Sequence, residues 1–420
     1  MSLARLALLL VPALLAAVAS APFAVGGLAG APLAQGAECP GQQAAAAPVA
    51  SATKLPLTLE QQIGQMLMAG VTSPTVDDDL RHLIVDEHVG NVVLMGPSVE
   101  SPAQVLALTR ELQRLALAAD GRGLLVATDQ EGGRVQRLRD GFTPLPPAAE
   151  VGATDDPAEV RGYGRLVGDE LRAVGVNLDL APVLDVNDNP ANPVIGDRAF
   201  GTTPARVETA ALAFLAGLHD VGVAATGKHF PGHGNTSTDS HLTLPFVDKD
   251  RAALEAAELR PFRAAVDAGI DAIMLAHVVY RALDPALPAT VSPAIATCLL
   301  RDELGFGGVV LTDDMGMAGI AELYSPEERG VQAVLAGADV VLCARLDLAG
   351  ACSADQFEQI RAGLLQAVAD GRLSPARVAQ SVARIEALKA RYAVGPASGA
   401  ELSAVGGAAH ARYVAALTAP

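Results

Sequence analysis

VAATGKHFPGHGNTSTDSH, residues 223–241, joins a short apolar run to a polar segment that has no hydrophobic period. Residues 223–227 are uncharged and small or branched, as expected for a strand buried on both faces of a parallel sheet. The following residues include three histidines, a lysine and an acid, with Pro231 and Gly232 as turn formers. A buried strand that leads directly into such side chains is typical of barrels, whose functional groups lie at the carboxyl ends of the strands.

Similar apolar runs recur along the chain, and each precedes a segment with the 3.6-residue pattern of an amphipathic helix. One such helix is predicted to begin at Pro204, with Thr203 as its N-cap, and Ser-Pro pairs at 325–326 and 374–375 predict two more helix starts. The eight predicted strands are 66–71, 91–95, 124–128, 176–183, 223–227, 272–276, 309–312 and 340–343.

Eight strand and helix units predict the α/β class and a single (β/α)8 barrel of the TIM type. A doubly wound open sheet is the alternative. It would need a glycine-rich phosphate-binding fingerprint, and the sequence contains none.

The composition limits the classes of partner. The chain has 420 residues, is 50% hydrophobic and carries a formal charge of -17, so it can form a large core but lacks the clustered cations that bind nucleic acid. Aromatic residues make up 3% and tryptophan is absent, which disfavours the stacking platforms of long polysaccharide clefts. We therefore expect a small substrate, or one that is bound only at its end.

The N-terminal segment predicts export. Arg5 precedes an uncharged apolar run, so residues 1–37 resemble a signal peptide, with an uncleaved membrane anchor as the alternative. We interpret residues 38–56 as a linker, 57–395 as the catalytic domain and 396–420 as a short tail.

The cysteines give two further predictions. Cys39 is a poor lipidation site because Glu38 stands where a lipobox has a small residue. An exported protein is exposed to oxidising conditions, so Cys343 and Cys352 are candidates for a disulfide, which their spacing alone does not establish.

Several predicted strands end in polar residues that a barrel would bring to one rim. Asp313 follows strand seven and is the best candidate for the carboxylate nucleophile of a retaining glycosidase. Asp313 could instead cap the next helix, although Asp314 suits that role better. His241 is a candidate acid/base, because Asp239 two residues earlier could orient its ring and favour its protonated form. The alternative for His241 is a solvated loop histidine.

Each of the other polar residues of the rim has two possible roles. His229, His233 and His241 suggest zinc, but Pro231 and Gly232 argue against the helix that usually presents such a pair, so we expect no metal. Lys228 and His229 are better explained as ligands of sugar hydroxyls. The remaining candidates are Arg137 and Arg198, which could bind sugar or form surface ion pairs, and Glu131, which we interpret as a partner of a nearby arginine.

Five segments carry a specific resemblance: residues 129–137 (DQEGGRVQR), 195–200 (IGDRAF), 228–234 (KHFPGHG), 239–241 (DSH) and 312–317 (TDDMGM). Together they resemble glycoside hydrolase family 3, in particular its exo-β-N-acetylglucosaminidase branch, over residues 57–392. The resemblance implies Asp313 as nucleophile and His241 with Asp239 as acid/base, without metal or organic cofactor. It implies that the terminal sugar is bound by Asp129, Arg137, Arg198, Lys228 and His229.

Two alternatives to hydrolysis remain open. A histidine acid/base would not repel an incoming anion, so a phosphorylase acting on β-N-acetylglucosaminides is the first. A noncatalytic sugar-binding protein of the envelope is the second, although binding alone needs no nucleophile. The export signal favours glycans of the cell envelope, such as peptidoglycan fragments, as substrates.

Overall fold

The computed structural model describes residues 39, 56–238, 240, 243–346, 351–392, 395 and 402–418. The predicted signal peptide and nearly all of the predicted linker lie outside these residues, and so do Asp239 and His241. Within the described ranges, no helix has both the length and the apolar character needed to cross a membrane.

Eight parallel strands form a barrel, which confirms the predicted fold. The strands are β1 (Leu67–Val71), β2 (Asn91–Leu94), β3 (Leu125–Thr128), β4 (Leu178–Asp179), β5 (Ala224–Phe230), β6 (Ala272–Leu275), β7 (Val309–Thr312) and β8 (Val341–Cys343). They pair in chain order from β1 to β7, and β1 also pairs with β8. A bridge between Leu311 and Val340 joins β7 to β8 and closes the ring. Nearly all strand residues are buried, as expected when helices cover the outside and side chains fill the inside.

Two strands differ from the predicted bounds by more than one residue. The predicted fourth strand spans eight residues, but only Leu178 and Asp179 form its ladder, and Val183 makes a further bridge to Lys228. The fifth strand was predicted to end at residue 227, yet β5 continues to Phe230, which pairs with Leu275 of β6. Lys228 and His229 therefore belong to a buried strand and not to a loop.

Helices surround the barrel, and three begin at the predicted residues Pro204, Pro326 and Pro375. The described α-helices are Leu59–Gln65, Asp78–Val85, Pro102–Asp120, Ala148–Ala153, Pro157–Ala173, Pro204–Asp220, Arg251–Ala256, Leu259–Asp267, Ala318–Ala321, Pro326–Ala336, Ala354–Ala369, Pro375–Arg391 and Ala408–Leu417. A π-helix spans Ala294–Glu303. Short strands outside the barrel are Gln130–Gly132, Val135–Gln136, Phe246–Val247, Val279–Tyr280 and Asp284–Pro288.

Two disulfides connect the four cysteines. Cys343 pairs with Cys352 at the end of β8, as the sequence allowed. Cys39 pairs with Cys298 of the π-helix, 259 residues away, so this sulfur is not free to carry a lipid.

The C-terminal segment, which was predicted to be a short tail, contains a ten-residue helix, Ala408–Leu417. It packs on the helix Pro157–Ala173. The carboxylate of Glu170, buried in that helix, accepts hydrogen bonds from the Gly406 N–H and from His410 Nδ1, at 2.9 and 2.8 Å. The Tyr413 hydroxyl donates to the Glu159 carbonyl at 2.7 Å. The tail thus extends the helical layer of the barrel.

Candidate active site

A cavity of about 360 Å³ lies at the carboxyl ends of the barrel strands. Residues in or just after strands β2 to β8 line it, so side chains far apart in sequence share one wall. The cavity is lined by six of the predicted site residues: Asp129, Arg137, Arg198, Lys228, His229 and Asp313. The barrel prediction placed these residues on one rim, and the structure brings the six together at one cavity.

A buried charge network forms one side of the cavity. Lys228 Nζ is 2.7 Å from Asp129 Oδ1 and 2.6 Å from Glu131 Oε1. Arg198 binds both carboxylate oxygens of Glu131, with its Nε and Nη2 each 2.8 Å away. The prediction that Glu131 is an internal partner of an arginine is confirmed, and it also holds the lysine. Arg137 Nε is 3.5 Å from the other oxygen of Asp129.

The network keeps its acids ionised. Burial alone would raise the pKa of Glu131, but the charges of Arg198 and Lys228 outweigh it and lower the pKa to about 2. Burial likewise opposes ionisation of Asp129, and Lys228 and Arg137 reverse the effect, so its pKa is also lowered. For Lys228, burial disfavours the charged form, but the two carboxylates raise its pKa. These side chains present fixed charges to any ligand in the cavity.

Asp179 behind this network differs from the other acids. It is fully buried at the end of β4, where its Oδ1 accepts the Gln130 N–H at 3.0 Å. Burial is the main cause that raises its pKa to about 8, and the nearby charges of Asp129 and Glu131 add to the effect. The Gln130 hydrogen bond and Lys228 act in the opposite direction but do not prevail. Asp179 is therefore protonated at neutral pH.

His229 connects the network to the candidate nucleophile. Its Nδ1 is 2.7 Å from Asp185 Oδ2, and its backbone N–H donates to Asp185 Oδ1 at 3.1 Å. Its Nε2 faces Asp313 Oδ2 at 4.0 Å. The sequence did not identify Asp185 as a site residue. The sequence feature that could have identified Asp185 is its position, as an acid just after the fourth apolar run and before Arg198.

Asp313 follows β7 and directs its carboxylate into the cavity. Its side chain is 23% exposed, and its Oδ1 accepts the Asp314 N–H at 2.8 Å. The hydrogen bond from the Asp314 N–H holds the carboxylate in this orientation at the cavity wall. Asp313 does not cap the following helix, Ala318–Ala321, whose N-cap residue is Met317.

Asp314 does not have the capping role that the sequence suggested. Its carboxylate accepts backbone N–H groups from Gly316 at 2.6 Å, Ala344 at 2.9 Å and Cys352 at 2.9 Å. It thus ties the loop after β7 to the disulfide-bonded segment after β8. These contacts fix the backbone that carries Asp313.

A tight hairpin forms another part of the wall. Gln130–Gly132 pairs with Val135–Gln136, and the turn uses positive φ values of 93° at Gly132 and 54° at Gly133. Any side chain is disfavoured in this backbone conformation, so the two glycines let the chain turn directly after Asp129.

The histidines of the segment 228–241 have different partners. His229 binds Asp185, whereas His233 Nδ1 and Nε2 contact Thr236 Oγ1 at 2.8 Å and Ser240 Oγ at 3.0 Å. Among the residues that the structure describes, the one group with metal-ligand spacing is Cys39, Cys298 and Asp302, and its two cysteines are disulfide-bonded. The predicted acid/base pair, Asp239 and His241, lies outside the described residues, but Ser240 between them lines the cavity.

Known proteins resemble this chain over most of its length. The sequence profile described as "Glycosyl hydrolase family 3 N terminal domain" matches residues 58–388. A β-hexosaminidase from Alkalilimnicola ehrlichii is 44% identical over 282 residues, which cover 66% of this chain and 79% of that protein. β-Hexosaminidase A from Pseudoalteromonas piscicida is 35% identical and covers 88% of this chain and 67% of its own. The structure of a family 3 β-N-acetylglucosaminidase from a Paenibacillus species superimposes with a TM-score of 0.81 at 42% identity, covering 86% of this chain and 68% of the other.

Proposed function

Because this chain belongs to glycoside hydrolase family 3, we propose that it is a retaining exo-β-N-acetylglucosaminidase with Asp313 as its nucleophile. The observation that carries the proposal is the position of Asp313. Its carboxylate faces a cavity of about 360 Å³, beside Lys228, His229 and Arg198. Aromatic residues make up 3% of the chain and tryptophan is absent, which disfavours a cleft that stacks the interior of a long chain and supports exo-action.

The proposed reaction has two steps, each a nucleophilic displacement at C1 of the sugar. Asp313 Oδ2 attacks C1 of the sugar, the bond between C1 and the glycosidic oxygen breaks, and that oxygen takes a proton from His241. Water then attacks C1 and gives its proton to His241, and the bond from C1 to Asp313 breaks with net retention. Asp239 would orient His241 and stabilise its charged form. No metal or organic cofactor takes part in either step.

The fixed charges of the network would hold the sugar during both displacements. Carboxylate and cationic side chains form strong hydrogen bonds with hydroxyl groups, and Asp129, Lys228 and His229 all line the cavity. Arg137 and Arg198 would add donors on the same wall. Because Lys228 and Arg198 are already oriented by Glu131, little ordering is left for the substrate to impose.

The choice of N-acetylglucosamine rests on the relatives. The β-hexosaminidase from Alkalilimnicola ehrlichii and the β-N-acetylglucosaminidase from Paenibacillus are each more than 40% identical to this chain. We propose the same terminal sugar for this protein.

We further propose that the protein is exported and acts on envelope glycans such as peptidoglycan fragments. Two disulfides suit an oxidising compartment, and the apolar N-terminal sequence suits a signal peptide or tether. The substrate would then be a glycan outside the cytoplasm. Secretion of the intact chain by a bacterial host, with and without residues 1–37, tests this part of the proposal.

The test of the activity is nitrophenol release by the purified chain from the aryl β-N-acetylglucosaminide and the aryl β-glucoside. We expect turnover that prefers the acetamido sugar and resists a chelator. Turnover of neither glycoside would contradict the proposal and favour a sugar-binding protein. A phosphate-dependent rate with a sugar 1-phosphate product would identify phosphorolysis.

A further inference from the structure

Ser240 lies between the two residues proposed for proton transfer, and it contacts the barrel at two points. Its hydroxyl oxygen is 3.0 Å from His233 Nε2, and its carbonyl oxygen accepts the Gly319 N–H at 3.1 Å. The residue is 2% exposed although exposed Ser237 is only three positions away. Its side chain is thus held by His233 of the same segment, and its backbone by Gly319 after strand β7.

His233 is itself held firmly. Its ring is buried, and its backbone N–H donates to Asp185 Oδ1 at 2.6 Å. Asn192 Nδ2 donates to the carbonyl oxygens of His233 and Gly234, at 2.9 and 3.1 Å. Asp185 also binds His229, so one carboxylate sets the positions of both histidines.

The charge state of His233 decides which group donates to Ser240. Burial, followed by the nearby charge of His229, lowers the pKa of His233 to about 4; Arg198 acts in the same direction, and Asp185 opposes it. The ring is therefore neutral at pH 7 and has one donor and one acceptor. The Thr236 hydroxyl is 3.1 Å from the His233 carbonyl oxygen, to which it donates, so its oxygen is left to accept the Nδ1–H at 2.8 Å. Nε2 is then the acceptor for the Ser240 hydroxyl.

We propose that His233 is a positioning residue that, by accepting the Ser240 hydroxyl, fixes the segment that carries the catalytic proton donor. The inference rests on the proposed function, because His241 matters only if it protonates the leaving group. Residues 239 and 241 are bonded directly to Ser240, so a shift of Ser240 displaces both. Asp313 follows strand β7, and its carboxylate is held by the Asp314 N–H and not by Ser240 or His233.

The test is the effect of Ser240→Ala on two substrates that need the proton donor to different extents. The parameter kcat/KM reports the steps up to the glycosyl-enzyme, and a dinitrophenolate departs without protonation whereas an alkoxide does not. We expect kcat/KM for an alkyl β-N-acetylglucosaminide to fall about tenfold, as for one lost hydrogen bond. For the dinitrophenyl glycoside we expect a change within about threefold. Ser237→Ala, a matched change at an exposed site, should alter neither value.

A pair of His233 variants provides a second measurement. The side-chain amide of glutamine can reach the position of Nε2, whereas that of asparagine reaches only Nδ1. His233→Gln should therefore retain more alkyl-glycoside activity than His233→Asn, with similar dinitrophenyl activity in both. Equal losses on the two substrates, or no loss in Ser240→Ala, would overturn the inference. A wild-type protein that cleaves neither glycoside would instead overturn the proposed function.

Discussion

Glu131→Gln should lower the free energy of unfolding at neutral pH. The wild-type carboxylate is 2% exposed and holds Arg198 through two hydrogen bonds and Lys228 through a contact of 2.6 Å. Glutamine keeps the shape but removes the charge. Two buried cations would then share Asp129 as the remaining acid of the network, at a cost of about 3–5 kcal/mol for a broken buried pair.

The pKa of Glu131 gives an independent magnitude. Its folded value of about 2 lies below the ordinary 4.5, so the folded protein favours the ionised form by roughly 3 kcal/mol. A lowered pKa means that this stabilisation is present above pH 4.5 and is lost as the pH falls towards 2. The difference between wild type and variant should therefore be large at pH 7 and should shrink near pH 2.5.

Urea unfolding of both proteins at several pH values measures this difference. Glu208→Gln is the control, because Glu208 pairs with Arg260 on the surface, where such pairs contribute at most about 1 kcal/mol. A Glu131→Gln variant within about 1 kcal/mol of wild type at pH 7, or a difference that does not change with pH, would refute the reasoning. The same variant should raise KM, since Arg198 and Lys228 lose the partner that orients them.

Further predictions concern single residues. Asp313→Ala should lower turnover more than about a thousandfold with an unchanged melting temperature; turnover near that of wild type would exclude it as nucleophile. His241→Ala should reduce kcat/KM for alkyl glycosides far more than for dinitrophenyl glycosides, and equal losses would contradict its role as the acid. The raised pKa of Asp179 means that the folded wild type binds a proton that the unfolded chain loses between pH 4 and about 8, so the wild type loses stability over this range. Asp179→Asn lacks this proton and should gain stability relative to wild type as the pH rises. A difference in melting temperature between the two proteins that is the same at pH 5 and pH 8 would contradict this. Thiol titration of the unfolded, unreduced chain should find no reactive thiol at Cys343 or Cys352, and free thiols there would contradict the pairing.

The barrel was predictable because its signal is local and repeated. Each strand is a short apolar run, and the helix that follows it is recognised by its 3.6-residue pattern. The rule that functional groups lie at strand ends then identified Lys228 and Asp313 without any knowledge of distances, whereas Asp129 was identified through the resemblance to family 3. The resemblance to family 3 added the roles of these residues, and the roles stay predictions.

What the sequence missed depends on contacts between distant segments. The extension of β5 to Phe230 comes from pairing with Leu275 on the next strand, which no local pattern encodes. Asp185 acts through hydrogen bonds to His229, 44 positions away. Asp314 resembled a helix cap because it follows a strand, but three backbone N–H groups from elsewhere surround its carboxylate.

The disulfide of Cys39 shows the same limit over a longer distance. Its partner Cys298 is 259 residues away, and no spacing rule connects such a pair. The sequence had only the neighbouring residues of Cys39 as a guide, and Glu38 argued against lipidation without indicating a partner. Spacing was informative for Cys343 and Cys352, which are nine positions apart.

The most direct test of the proposed mechanism is covalent trapping. A fluorinated N-acetylglucosaminide with an activated leaving group should form the glycosyl-enzyme faster than it is hydrolysed, and peptide mass spectrometry would locate the sugar. We predict one equivalent of sugar on the peptide that contains Asp313, and none on the Asp313→Asn variant. A label on another residue, or turnover that gives the inverted anomer without any label, would contradict the assignment of Asp313 as the nucleophile of a retaining enzyme.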